Sequence, residues 1–500
     1  MGLKSLLAKS LATLVRRSID RWSAQGVSAQ RKQFEALKKR LAQTHFGREH
    51  GITALTTQAE FRKRIPVRDY EALRPWMEQM IAGSPDVLWP GKPVYLAKTS
   101  GTTSGVKYIP ITRESMPYHI SGARNALLCY IAETGRASWL DGNLIFLSGS
   151  PVLEEKNGML SGRLSGIVNH HVPAYLRRNQ MPSWETNCLE DWEEKVDRIA
   201  HETRSKPMSL ISGIPPWVQM YFDRILELSG KETIREVFPN FELLVYGGVN
   251  FEPYRGKMYQ TIGSRIPSIE TYPASEGFIA FQDRQSDPSL LMLLDAGIYY
   301  EFIPVSEYFS ENPVRLGIED IELGVNYAVI MNTNAGLWGY SIGDTVKFVS
   351  RNPYKILVTG RIKHFISAFG EHVIGEEVER AMQEVSNAMN VRTVEFTVAP
   401  QVNPNAGLPY HEWLVEFDVP PADIDAFADR LDQAMQQQNI YYRDLIAGSI
   451  LRTLKLSVLP KGSFIAYMKR HGKLGGQNKV PRLSNDRIIA DDMLRHAHTS

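Results

Sequence analysis

Hydroxyl-bearing residues crowd one short stretch of this chain, Thr99-Ser100-Gly101-Thr102-Thr103-Ser104-Gly105-Val106-Lys107, two residues after the apolar Val94-Tyr95-Leu96. Glycines let backbone N–H groups turn toward an anion, hydroxyls add donors, and Lys107 adds positive charge. That composition suits a phosphate cradle; a flexible surface turn has the same look. It is not a P-loop, because the Gly-x-x-x-x-Gly-Lys spacing is missing. Farther on, Tyr272-Pro273-Ala274-Ser275-Glu276-Gly277 offers an aromatic ring for stacking on a purine, a hydroxyl donor in Ser275 and a carboxylate in Glu276. Mg²⁺ favours such hard oxygen ligands and bridges nucleotide phosphates. Gly247-Gly248 closes the apolar run Leu243-Leu244-Val245-Tyr246, where a glycine pair lets backbone approach a flat ligand closely.

Three further segments follow in order. In Tyr340-Ser341-Ile342-Gly343-Asp344, Gly343 permits a turn and Asp344 can accept from both hydroxyls of a ribose. In Gly360-Arg361-Ile362-Lys363, Arg361 suits phosphate or ribose oxygens and Lys363 stands where a hinge would fall. Lys479, in Gly475-Gly476-Gln477-Asn478-Lys479-Val480-Pro481-Arg482, lies outside any helical pattern, in a loop able to fold over a substrate. A lysine entering a dry site stabilises charge growing on a phosphate. Each segment alone also reads as a turn, a cap or a solvated charge. Their joint presence points to nucleotide chemistry.

Other chemistries find no support. His170-His171 lacks the i, i+4 spacing of a helical metal pair, and neither His-Glu-x-x-His nor Gly-x-Ser-x-Gly occurs. The two cysteines, Cys129 and Cys188, form no Cys-x-x-Cys pair, which speaks against a disulfide framework or structural zinc and for a reducing cytoplasm. With 57 basic and 55 acidic residues the net charge is +2, giving no reason to invoke nucleic acid. No apolar run approaches the roughly 18 residues that span a bilayer, so stable membrane insertion is not expected. The segment Met1 to Ile19 has no acidic residue, and Leu3, Leu6, Leu7, Leu14 and Val15 recur at helical spacing among basic residues. A targeting or membrane-surface helix fits this pattern, but an amphipathic helix docked on the domain is favoured.

The elements that must position these residues are legible too. Residues 1 to about 80 read as helical. From about 93 to 350, short apolar runs (Leu144–Leu147, Leu243–Tyr246, Ala328–Met331) alternate with helical segments Glu190–Glu202 and Trp217–Leu228, the mark of an α/β architecture with strands buried inside a sheet. Beyond about 360 the pattern changes to a compact α+β unit of about 140 residues. Glu376–Met389 and Ile424–Gln438 read as helices, and Thr393–Val398, Glu412–Phe417 and Ser449–Leu459 as strands. The expected division is 1–360 and 361–500.

The motifs in this order resemble the adenylate-forming superfamily, and within it the auxin-responsive Gretchen Hagen 3 family of acyl acid–amido synthetases. Family-like segments include Phe46–Gly51, Ile65–Tyr70, the hydroxyl-rich loop, Tyr272–Glu276, Tyr340–Asp344 and Gln477–Arg482. The resemblance implies an α/β fold with a large N-terminal mixed-sheet domain binding nucleotide and acyl group, and a small, mobile C-terminal α+β domain. It implies ATP and Mg²⁺, with a small carboxylic acid and an amino acid as substrates. Carried over by position, Ser100, Thr102, Thr103 and Ser104 hold phosphates, Gly248 and Tyr272 flank adenine, and Ser275 helps with phosphate. Glu276 is the Mg²⁺ ligand, Asp344 holds ribose, and Lys479 contacts the α-phosphate. Two departures stand out: the family's Ser-Ser-Gly-Thr-Ser opening reads Thr99-Ser100-Gly101-Thr102-Thr103 here, and Gly360–Lys363 is closer to the wider superfamily's hinge, leaving Lys363 as hinge or phosphate contact. An acyl-CoA ligase using a thiol acceptor and a non-catalytic nucleotide-binding regulator are the alternatives. The acyl pocket is expected to draw on Leu160–Leu176.

Overall fold

The computed structural model describes residues 3–100, 106–248, 251–310, 312–362, 365–366, 373–447, 450–474, 479–484 and 486–497. Five helices open the chain: Leu3–Ser23, Gly26–Leu41, His45–Glu49, Gln58–Arg64 and Tyr70–Ile81. The last three start at side chains, Thr44, Thr57 and Asp69, that satisfy free N–H groups of the first turn. Thr57 and Glu60 form a reciprocal capping box, and Asp69 accepts from Ala72 N at 3.1 Å.

The chain divides into two compact units. The first comprises residues 1–251, 257–342 and 346–357. An 11-stranded sheet runs through it in the order Ile298–Pro304, Asn326–Thr333, Tyr340–Arg351, Tyr354–Arg361, Asp287–Met292, Gly277–Arg284, Ser268–Ala274, Leu243–Gly247, Met208–Gly213, Asn143–Phe146 and Gln180–Met181. Its last five strands are parallel: Leu243–Gly247 pairs with both Met208–Gly213 and Ser268–Ala274 in that sense. Parallel strands are covered on both faces, which is why Leu243, Leu244, Val245 and Tyr246 are all buried rather than alternating. A four-stranded sheet pairs Tyr95–Ser100 with the antiparallel Val106–Ile111 and the parallel Met159–Gly162.

The second unit comprises 252–256, 343–345 and 358–500, so two short stretches from earlier in the chain join the C-terminal segment. Arg392–Gln401 and Tyr410–Val419 run antiparallel, and Lys455–Leu459 lies parallel to the latter. Helices Gly375–Ala388 and Ile424–Gln438 cover this sheet with apolar residues one turn apart: Val378, Met382 and Val385 on one, Phe427, Leu431 and Met435 on the other. Phe396, Val398, Trp413, Val415 and Phe417 complete the core. One expectation needs correction. The run Ser449–Leu459 is a strand only over Lys455–Leu459. Before it, Arg452 N bonds Pro409 O at 3.0 Å and Leu454 N bonds the buried Asp432 carboxylate at 2.9 Å, so side-chain and loop acceptors replace the ladder.

His119, on the helix Met116–Thr134, is buried at 4% exposure and its Nδ1 has no hydrogen-bond partner. Burial lowers its pKa from 6.5 to about 4. The unfolded chain therefore takes up a proton that the folded chain refuses, and stability falls as pH drops from 6.5 toward 4. His119→Leu should flatten the pH dependence of the unfolding free energy in that window by up to about 3 kcal/mol. Parallel wild-type and variant curves from urea titrations would contradict it.

Candidate functional site

Local geometry explains why glycines end the strand Leu243–Gly247. A Cβ on Gly247 would sit 2.2 Å from the Thr271 carbonyl oxygen of the neighbouring strand, and Gly248 has φ +81. Thr271 Oγ1 donates to Tyr246 O at 3.1 Å, closing the same corner. On that neighbouring strand Tyr272 is buried at 8% exposure, within the hydrophobic core. Ser275 and Glu276 form a two-residue turn between paired Ala274 and Gly277, so both side chains are carried on a hairpin tip.

Glu276 has a partner that the sequence does not announce. Tyr340 Oη donates to Glu276 Oε1 at 3.1 Å, joining two motifs 64 residues apart. Tyr340 is buried, and its strand start is held in depth. Glu301, fully buried, accepts from Arg62 Nε at 3.0 Å, from Arg315 and from Asn332 Nδ2 at 3.0 Å. Asn332 Oδ1 in turn accepts from Gly339 N at 2.8 Å. Arg68 N bonds Gly339 O at 2.9 Å, and Ser341 N bonds Arg68 O at 2.8 Å, clamping Tyr340 between them.

The hydroxyl-rich loop is presented by a hairpin in which Thr99 pairs with Lys107 and Ser100 with Val106. Gly101, Thr102, Thr103 and Ser104 lie outside the described residues, as does Lys363. Lys107 stands over the Tyr70 ring at 5.4 Å, and Tyr70 Oη accepts from Tyr108 N at 3.0 Å. Tyr95, on the strand feeding the loop, shares a 2.9 Å hydrogen bond with His171 Nε2. His170 Nε2 donates to Pro151 O at 2.8 Å, so the expected acyl segment is tied down through both histidines. Desolvation, then His170 and Arg177, lowers the pKa of His171, which favours its neutral form.

In the second unit Asp344 Oδ1 pairs with Arg361 Nε at 2.9 Å. Ile362 N donates to Gly343 O at 2.6 Å and Thr359 Oγ1 to Thr345 Oγ1 at 2.9 Å, which sets the two strands in register here. Lys479 belongs to the same neighbourhood. The residue is exposed overall, yet the surroundings of its ammonium lower its pKa: desolvation acts first, Arg361 in the same direction, and Asp344 and Glu379 against it. Arg482, three residues on, is the anchor. It bonds Glu379 Oε1 at 3.2 Å, Phe396 O at 3.2 Å and Tyr254 Oη at 3.1 Å, and pairs with Glu395. Tyr254 Oη donates to Glu395 Oε2 at 2.8 Å. Val398 N bonds Arg482 O, and Thr397 Oγ1 bonds Pro481 O, so the end of the Lys479 loop is laid along the strand Arg392–Gln401. Sequence reading missed Arg482, Glu379 and Tyr254 as supports; the Pro-Arg pair after Lys479 was the available signal.

Among the described residues no group of three or more His, Cys, Asp or Glu side chains converges as a metal cage. Glu276, carried on its hairpin tip, offers a carboxylate of the hard-oxygen type that Mg²⁺ favours.

The pattern of the GH3 family N-terminal domain matches residues 15–159 and 147–267, that of the GH3 family central domain residues 291–361, and that of the GH3 family C-terminal domain residues 376–488. The chain is 22% identical over 552 residues to jasmonoyl–L-amino acid synthetase GH3.5 of Oryza sativa subsp. japonica, covering 91% of this chain and 92% of that protein. It is 24% identical over 390 residues to jasmonoyl–L-amino acid synthetase JAR4 of Nicotiana attenuata, covering 63% of this chain and 66% of that one. Among solved structures, the GH3.15 acyl acid amido synthetase superposes with a TM-score of 0.79 at 16% identity, over 98% of this chain and 96% of that one, which establishes a shared fold.

Removing the Arg482 fork strands two carboxylates, Glu379 and Glu395, in a half-buried place. Arg482→Leu should cost about 2–3 kcal/mol of stability, and Arg482→Lys should restore only part of it because one ammonium cannot serve this fan of acceptors. Urea unfolding checks this; a loss below about 0.5 kcal/mol for the leucine variant would remove Arg482 from the role of anchor.

Proposed function

The chain belongs to the GH3 family, and on that premise we propose that it is an acyl acid–amido synthetase that uses Mg²⁺·ATP to activate a small carboxylic acid and passes the acyl group to an amino acid. The carboxylate oxygen attacks the α-phosphorus, the bond to pyrophosphate breaks, and an acyl-adenylate forms. The amine nitrogen then attacks the acyl carbon, the carbon–oxygen bond to AMP breaks, and the amine proton passes to solvent. No covalent enzyme nucleophile is required; positioning and charge stabilisation suffice.

The observation that supports this reading most is the 2.9 Å pairing of Asp344 with Arg361, with Lys479 near enough for its ammonium to feel both charges. In the proposed assignment Asp344 takes the ribose hydroxyls, and Lys479 and Arg361 answer phosphate charge. Glu276, steadied by Tyr340, would hold Mg²⁺, which supplies charge neutralisation on the phosphates. Ser100, Thr102, Thr103 and Ser104 would cradle phosphate, with Thr99, Gly101 and Lys107 in the same loop. Gly248 and Tyr272 are assigned to the adenine and Ser275 to phosphate, and Lys363 to the hinge. The division at residue 360, with the C-terminal part mobile between half-reactions, belongs to the same proposal. So does an acyl pocket drawing on Leu160–Leu176. A cytoplasmic location accords with the free thiols Cys129 and Cys188.

Pyrophosphate release with Mg²⁺·ATP across a library of carboxylic acids, with mixed amino acids present and mass spectrometry of the products, tests the activity. An amide is expected; a thioester formed only with CoA would make it an acyl-CoA ligase, and ATP binding without release a regulator. Lys479→Ala should lower adenylation about a hundredfold or more with folding intact. Normal release by this variant would sink the role. Because the charged lysine is the active form and its pKa in the unliganded protein lies below 10.5, kcat/KM should decline as pH rises through a value under 10.5. Lys479→Arg should move that decline upward.

A further inference from the structure

The helix Leu3–Ser23 is apolar on two faces, and the chain itself covers one. Ser5, Ala12 and Ile19 are buried, and the helix packs on Met116–Thr134. Ser5 Oγ donates to Ala137 O at 3.0 Å, and Arg16 pairs with the buried Asp283 at 3.2 Å. The docked helix expected from sequence is therefore present. Its opposite face is not explained by docking. Leu6, Leu7, Leu11 and Leu14 are 60%, 63%, 47% and 63% exposed. At about 3.6 residues per turn, Leu7, Leu14 and Arg21 fall in one line, with Leu6, Leu11 and Arg17 beside it.

The charge on this face has one sign. Met1 to Ile19 contains no acidic residue, and the first, Asp20, is taken up by Arg16 at 2.9 Å. Arg17 and Arg21 are exposed at the C-terminal end of the leucine stripe. The overall net charge of +2 conceals this local excess. We propose that the exposed face of this helix docks the protein peripherally on an anionic lipid surface, with Leu6, Leu7, Leu11 and Leu14 entering the boundary between headgroups and acyl chains and Arg17 and Arg21 meeting lipid phosphates. A helix lying in the interface plane binds through buried apolar area plus attraction to anionic lipid. No helix among the described residues is long and apolar enough to cross a membrane, which suits a reversible contact. A second copy of the chain is the poorer occupant. Parallel pairing of this face would set Arg17 and Arg21 against their own kind, and antiparallel pairing would set them against N-terminal turns that carry no carboxylate.

Flotation of the full-length protein with phosphatidylcholine vesicles, with and without equimolar phosphatidylglycerol, tests this. Binding is expected only to the anionic vesicles, and should weaken steeply with salt. Leu7→Ser/Leu14→Ser and Arg17→Glu/Arg21→Glu should each reduce it about tenfold or more. Both pairs are surface changes, and an unchanged thermal midpoint verifies the fold. No binding to anionic vesicles, equal binding to neutral ones, or sedimentation showing a dimer that the leucine variant dissolves would each overturn the proposal.

Discussion

Glu301 is a carboxylate with no access to water, and much of the first unit is arranged to answer it. A buried charge left unpaired costs several kcal/mol, so its partners are not optional. Arg62 and Arg315 supply charge and Asn332 supplies an amide donor. Asn332 has two ends, and this makes the network consequential. While Nδ2 serves Glu301, Oδ1 fixes the backbone N–H of Gly339. The turn before Tyr340 is thereby locked, and the Tyr340 hydroxyl is delivered to Glu276. A core electrostatic demand is thus linked, through Asn332, Gly339 and Tyr340, to the carboxylate proposed for the metal.

The same economy recurs in the second unit. Arg482 takes two carboxylates, a phenol and a carbonyl with one planar fork, which an ammonium cannot do. Glu416 accepts from the backbone N–H groups of Gly462 and Phe464, and Asp432 from Tyr442 Oη and Leu454 N. These acidic residues serve as tertiary caps. They organise loops that have no ladder of their own, including the approach to Lys455–Leu459.

What the sequence made legible follows from range. The buried parallel run Leu243–Tyr246 and the helices Gly375–Ala388 and Ile424–Gln438 declare themselves through local pattern, and the helical N-terminus does too. Residue types mark Glu276, Asp344, Arg361 and Lys479 as able to do chemistry. Their supports were invisible because they are tertiary. Nothing near Tyr340 says that its hydroxyl will find Glu276, and nothing near Arg482 names Tyr254 or Glu395. Ser449–Leu459 misled for the same reason: its apolar residues Leu451 and Leu454 are buried in the core of the second unit, but the hydrogen bonds nearby go to Pro409 and Asp432 instead of a strand.

The pairing of Asp344 with Arg361 has a consequence for how a nucleotide would be received. At 2.9 Å, one Asp344 oxygen is committed to the guanidinium. Under the proposed assignment, a ribose diol must compete for that carboxylate, and what it displaces or shares is a permanent cation. Arg361 remains charged at any relevant pH, so loosening it from Asp344 turns it toward phosphate oxygens at the moment they arrive. Lys479 is of another kind: desolvation and Arg361 lower its pKa, and Asp344 and Glu379 oppose them. A triphosphate entering this neighbourhood would supply the negative charge that restores the charged form. Ligand binding and lysine protonation then favour each other by linkage, and the cation is strongest where charge develops during attack.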